Sequence, residues 1–123
     1  MQVNKHERHF RSACSISRTL DLLGDKWTLL IIRDALFGGA KSFGEFSSSP
    51  EKIASNILTN RLEKLVANGI LEKKANPDNK LKIDYTLTES GKQLQPVLMA
   101  LGKWGHCNIA GAKSLEEYIK KLH

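Results

Sequence analysis

The stretch Ser42-Phe-Gly-Glu-Phe-Ser-Ser-Ser-Pro50, followed by Ile53-Ala-Ser-Asn-Ile-Leu-Thr-Asn-Arg-Leu-Glu-Lys-Leu-Val66, decides the fold. Ser42 and Glu45 stand three apart, so each side chain can bond the other's free backbone amide at a helix start. A short helix therefore begins at Ser42, with Phe43 and Phe46 as its apolar side, and the serine run and Pro50 end it. After a turn, Leu58, Leu62, Leu65 and Val66 recur at helical spacing and predict a second helix from about Ala54 to Asn68. Gly69, tolerant of the left-handed conformation, closes it.

At 100° per residue, Asn56, Asn60 and Lys64 fall opposite the leucine stripe, with Thr59 and Glu63 on the flank. Asn can pair with adenine edges, Thr can bond a base or touch a thymine methyl, and Lys can meet phosphate or guanine. A helix, a turn and a helix with such a face describe a helix-turn-helix reader of duplex DNA. An ordinary amphipathic helix with a solvated polar side is the competing reading. The neighbouring segments arbitrate.

Downstream, Ile70 to Ala75 reads as a strand, and Leu81, Ile83, Tyr85 and Leu87 alternate with Lys82, Asp84 and Thr86 as a second, amphipathic one. Asn76-Pro-Asp-Asn-Lys80 between them is turn chemistry throughout. A hairpin carrying Lys73, Lys74, Lys80 and Lys82 directly after a helix-turn-helix is a wing, placed to sit on the DNA backbone or minor groove. Alone, it would be merely a soluble edge. Thr88 caps a last long helical segment beginning at Glu89, which Pro96 should bend or split. Its stripe, Leu94, Val97, Leu98, Leu101 and Trp104, is more than the core needs and is a candidate dimer surface. Ser114 and Glu117 repeat the capping-box spacing ahead of a closing amphipathic helix with Leu115, Tyr118, Ile119 and Leu122.

Upstream, Ile16, Leu20 and Leu23 give a short helix from Ser15 or Ser17 one buried face, with Gly24 ending it. Asp25 caps the next helix, Lys26 to Phe37, which is apolar nearly all round and therefore central. Trp27 at its start is most simply core, a stacking role being the weaker reading. Residues 1–12, rich in Lys, Arg and His, read as a mobile arm. His6 and His9 are spaced to share a metal but have no further ligand nearby.

With 123 residues, 41% apolar and 26% charged, the chain suits one ordinary globular domain. A net charge of +6 favours a polyanionic partner, without separating DNA, RNA and anionic membrane. Cys14 and Cys107 are the only cysteines, too far apart for ligand spacing, so neither a disulfide framework nor structural zinc is expected. No run approaches the roughly 18 apolar residues of a membrane span, and Met1 to Arg11 does not resemble a secretory signal. We expect a cytoplasmic protein with no membrane partner, no metal and no cofactor. No Gly-rich phosphate loop and no recognisable nucleophile-base motif points to an enzyme.

Several segments, in order and spacing, resemble the HxlR-type family of bacterial winged-helix transcriptional regulators, relatives of the MarR group. They are Cys14, Leu20-Asp-Leu-Leu-Gly-Asp-Lys-Trp-Thr-Leu-Leu-Ile-Ile-Arg33, Ser42 to Phe46, Ile53 to Leu62, Leu87-Thr-Glu-Ser-Gly91, and Leu101 to Gly105. Together they span roughly residues 14 to 106. The resemblance implies a mainly α fold with a small β-hairpin wing, a winged helix-turn-helix that dimerises through its terminal helices. On that basis 1–123 is one domain, with 1–12 an arm, 13–88 the winged-helix core and 89–123 the dimerisation helices carrying Leu94, Leu98, Leu101 and Trp104 at the interface.

It further implies that Ser55, Asn56, Thr59 and Asn60 read bases, while Lys41, Arg61, Lys64, Lys80 and Lys82 hold phosphates. For Arg61 a local ion pair with Glu45 or Glu63 is the alternative. Some family members sense electrophiles or oxidants through a cysteine near the position of Cys14. Here a helix start together with Arg11 and Arg18 favours the thiolate, against a reading of Cys14 as a small apolar residue in the dimer seam. The partners expected are double-stranded DNA, a second copy of the chain, and an oxidant or small-molecule effector. A winged-helix module for RNA or protein, without operator specificity, is the alternative function.

Overall fold

The computed structural model describes residues 9–120. Helix α1, Ser15–Leu23, is followed by α2, Thr28–Phe37, then α3, Phe43–Ser47, and α4, Ser55–Ala67. A hairpin of β1, Leu71–Ala75, and β2, Ile83–Leu87, leads to α5, Glu89–Lys92, α6, Gln95–Asn108, and α7, Leu115–Ile119. The fold is a winged helix, mainly α with one antiparallel hairpin.

The Ser42–Glu45 box forms as the spacing requires: the Ser42 hydroxyl accepts from the Glu45 amide at 3.2 Å, and the Glu45 carboxylate accepts from the Ser42 amide at 3.1 Å. In the turn that follows, Lys52 takes a positive φ of 57°. The leucine stripe of α4, Leu58, Leu62 and Leu65, is fully buried with Phe46 of α3, while Ile31 and Ile32 bury both sides of α2. α2 is thus the axis on which α3, β2 and α6 pack.

Gly69, at φ 72°, turns the chain from α4 into β1. Register pairs Leu71 with Leu87 and Ala75 with Ile83. A third, one-bridge edge joins them: Ser42 pairs with Asp84, and the Tyr85 amide donates to the Lys41 carbonyl at 2.8 Å. Gly91 leaves the room for α5 to close on the hairpin base, since a Cβ there would stand 2.4 Å from the Ile70 carbonyl oxygen.

Four expectations change. The α1 face is not a buried one: Leu23 reaches the core, but Ile16 is 70% exposed and Leu20 more than half. On β2 the alternation stops short of the tip, where Leu81 is 95% exposed. Of the proposed dimer stripe, Leu98 is buried in the protomer's own core and Leu94 packs against it, so both serve folding. Leu101 and Trp104, the latter 63% exposed, remain on the surface. Finally, residues 1–8 of the expected arm, including His6, lie outside the described residues, while its end is tied down. Arg11 Nε lies 2.6 Å from Asp21 Oδ1, and the Arg18 guanidinium covers the Phe10 ring at 4.7 Å.

The expected split near Pro96 falls at Gln93–Leu94, placing the proline in the first turn of α6, where its missing N–H has no intrahelical partner to lose.

Candidate nucleic-acid interface

The outer face of α4 carries Ser55, Asn56, Thr59, Asn60 and Lys64, all exposed, because the leucine stripe fixes which side turns inward. Thr59 donates its hydroxyl to the Ser55 carbonyl at 2.9 Å, so toward a ligand it offers lone pairs and a methyl. Asn56 and Lys64 are exposed to solvent. The turn that leads into α4 is anchored from α2. Arg33 grips both oxygens of Glu51, at 2.7 and 2.8 Å, and also meets Asp34 at 2.9 Å and the Ser49 hydroxyl at 3.3 Å. The Tyr118 ring of α7 covers the guanidinium at 5.2 Å, and its hydroxyl donates to Glu51 at 3.3 Å.

The Arg33 hydrogen bonds hold the Glu51 carboxyl down to about 2. Burial pushes the Asp34 carboxyl up despite the same arginine, and one of its oxygens is buried without a hydrogen-bond partner.

Arg61 does not pair with Glu45 or Glu63. Its Nε meets Asp25 Oδ2 at 2.8 Å, across the corner between α1 and α2, and its Nη1 donates to Asn60 Oδ1 at 2.6 Å. Asp25 also accepts from the Trp27 and Thr28 amides and from the Thr28 hydroxyl. Partial burial raises its carboxyl, but the bonds from Thr28, Arg61 and Trp27 outweigh this and bring it to about 2. α2 starts later than the sequence suggested, at Thr28 with Trp27 as its N-cap, so Asp25 is not the cap itself; it accepts from the amides just ahead of the helix and in addition fastens α4, a partnership 36 residues distant that local patterns do not report.

At the hairpin tip, the Asn76 carboxamide accepts from the Asp78 and Asn79 amides at 2.8 and 3.0 Å, folding the turn. Lys80 and Lys82 are exposed there on either side of Leu81, a tip residue that alternation had assigned to the inner face. Lys41 is exposed beside the start of α3, while Lys74 is paired with Glu72 at 2.9 Å.

A model of the family described as HxlR-like helix-turn-helix matches residues 22–113. The chain belongs to the HxlR family. It is a DNA-binding transcriptional regulator of helix-turn-helix type. It is 35% identical over 92 residues to sll1512 of Synechocystis sp., an uncharacterized HTH-type transcriptional regulator, covering 75% of this chain and 67% of that protein. Among solved structures it resembles the reduced form of the transcriptional regulator YodB from B. subtilis, with a TM-score of 0.65, 32% identity, and coverage of 83% and 100% of the two chains. YodB has also been solved with quinone bound. The reduced redox regulator HypR gives a TM-score of 0.67 at 31% identity over 79% of this chain and 95% of its own.

Within this HxlR chain, Cys14 occupies the N-cap of α1 and is fully exposed, and the Ser17 and Ile16 backbone amides lower its thiol pKa. The two arginines expected to help are engaged elsewhere: Arg11 with Asp21, and Arg18 with the Ser12 carbonyl at 2.8 Å. Cys107, on α6, is free and exposed. Among the described residues no helix is long and apolar enough to cross a membrane.

Proposed function

We propose that this protein binds an imperfect DNA palindrome as a homodimer, inserting one α4 per copy into successive major grooves about 34 Å apart. The observation that carries this is the exposed row Ser55, Asn56, Thr59 and Asn60 on a helix whose opposite side is locked in the core. Lys41, Lys64 and the tip lysines Lys80 and Lys82 then meet phosphates, in keeping with the +6 charge. Arg61 supports the reading helix from within rather than facing the backbone.

Dimerisation rests on apolar surface left uncovered in one copy. Ile16 and Leu20 on α1, and Val97, Leu101 and Trp104 on α6, are large apolar side chains exposed in one copy and available to a partner. Cys14, whose thiolate is favoured by the start of α1, is the group through which an oxidant or electrophile acts; the quinone-bound and redox-regulated relatives support this reading.

Electrophoretic shifts with genomic fragments test the proposal. A two-copy complex that disappears when the operator is scrambled is expected, released by a quinone in the wild type but not in Cys14→Ser. Unchanged binding to the scrambled site, or binding to single strands alone, overturns it in favour of a non-specific or RNA-directed module.

A further inference from the structure

The clamp on Asn60 has a consequence for which base the protein selects. A guanidinium carries five donors and no acceptor, so the Asn60 atom facing Arg61 is the carboxamide oxygen and the NH2 points away. Arg61 is itself not free to turn, because Asp25 holds its Nε and is in turn held by two backbone amides at the start of α2. Asn60 therefore meets the groove donor first. The paired contact of Asn with adenine needs the carboxamide oxygen to accept from the adenine amino group. Here one of that oxygen's two lone pairs already takes a hydrogen bond at 2.6 Å, and the cation beside it repels an amino group approaching the other.

We propose that Asp25, Arg61 and Asn60 form a donor-only unit that selects guanine, whose major-groove edge offers two acceptors, N7 and O6. Arg61 is a positioning residue in this unit, acting through Asn60. The inference rests on the proposal that α4 reads bases, and the experiment keeps the two apart.

Full-length protein and its Asn60→Ala variant each select DNA from a randomised duplex pool, and the position whose preference only the wild type shows is the one Asn60 reads. Guanine is expected there, favoured over adenine roughly 5- to 150-fold in direct competition. Any other base at that position overturns the donor-only unit while leaving base reading intact. Loss of no position in Asn60→Ala overturns base reading by Asn60 itself. In folded Arg61→Met the released carboxamide should shift the preference at the same position toward adenine; an unchanged guanine preference also overturns the clamp. Should that variant fail to fold, the wild type and Asn60→Ala suffice.

Discussion

Arg33 and Arg61 are both held by carboxylates, yet they sit in different worlds. The Arg33 side chain is 9% exposed, meets Asp34 and both oxygens of Glu51, and lies under an aromatic ring. Arg61 is 23% exposed, meets one carboxylate, and spends another donor on the neutral amide of Asn60 on the exposed face of α4. The first geometry fixes where α4 lies; the second fixes what α4 presents. One residue type thus performs scaffolding or presentation according to how much of its donor set is closed off from solvent.

The largest effect that separates them is on stability. Arg33→Met strands the buried Asp34 and part-buried Glu51 carboxylates and should cost about 3 to 5 kcal/mol, read as a lowered denaturation midpoint. Arg61→Met should cost about 1 kcal/mol or less, because both members of its pair touch water. Equal losses would erase the distinction.

Acid provides the next test. Glu51 is held near 2, below the usual carboxylate range, so its contribution is complete above that range and is lost as the pH falls toward 2. Glu51→Gln should flatten the decline in stability between about pH 5 and pH 2. The flattening is partial, since Asp25 titrates in the same window. A decline as steep as in the wild type would remove Glu51 from the anchor. The smallest effect belongs to the hairpin tip. Lys80→Ala should weaken all duplexes alike and lower the slope of log affinity against log salt by about one, and an unchanged slope takes the tip off the phosphates.

Elements governed by short-range chemistry were legible in the sequence. The Ser42–Glu45 box, the α4 stripe, the tip turn at Asn76 and the break ahead of Pro96 each arise from residues within a few positions of one another. Pairings across the chain were not. Nothing in Arg33-Asp34 shows that Glu51 lies opposite, and nothing in the α4 pattern shows that Asp25 waits beside Arg61. Apolar periodicity also overstated burial. Ile16 and Leu20 have helical spacing yet face outward, because spacing identifies a common side and says nothing of whether the same chain or another covers it. Leu94 and Leu98 show the converse, a stripe assigned to a partner that the chain's own core absorbs. Within the interface, the polar row of α4 could be read from the sequence, whereas the orientation of the Asn60 amide required the third dimension.

The backbone bond from Tyr85 to Lys41, with the bridge of Asp84 to Ser42, divides the hairpin into two zones. Its inner zone is welded to the residue that caps α3, so a shift there drags the cap with it. Its outer zone hangs on Asn76, whose carboxamide oxygen folds the tip and whose NH2 donates to the Asp84 carboxylate, so the tip beyond Asn76 can be exchanged while Asn76 itself stays. The length of the tip is therefore a modular property of the hairpin, open to grafting at the fingertip while the knuckle stays fixed.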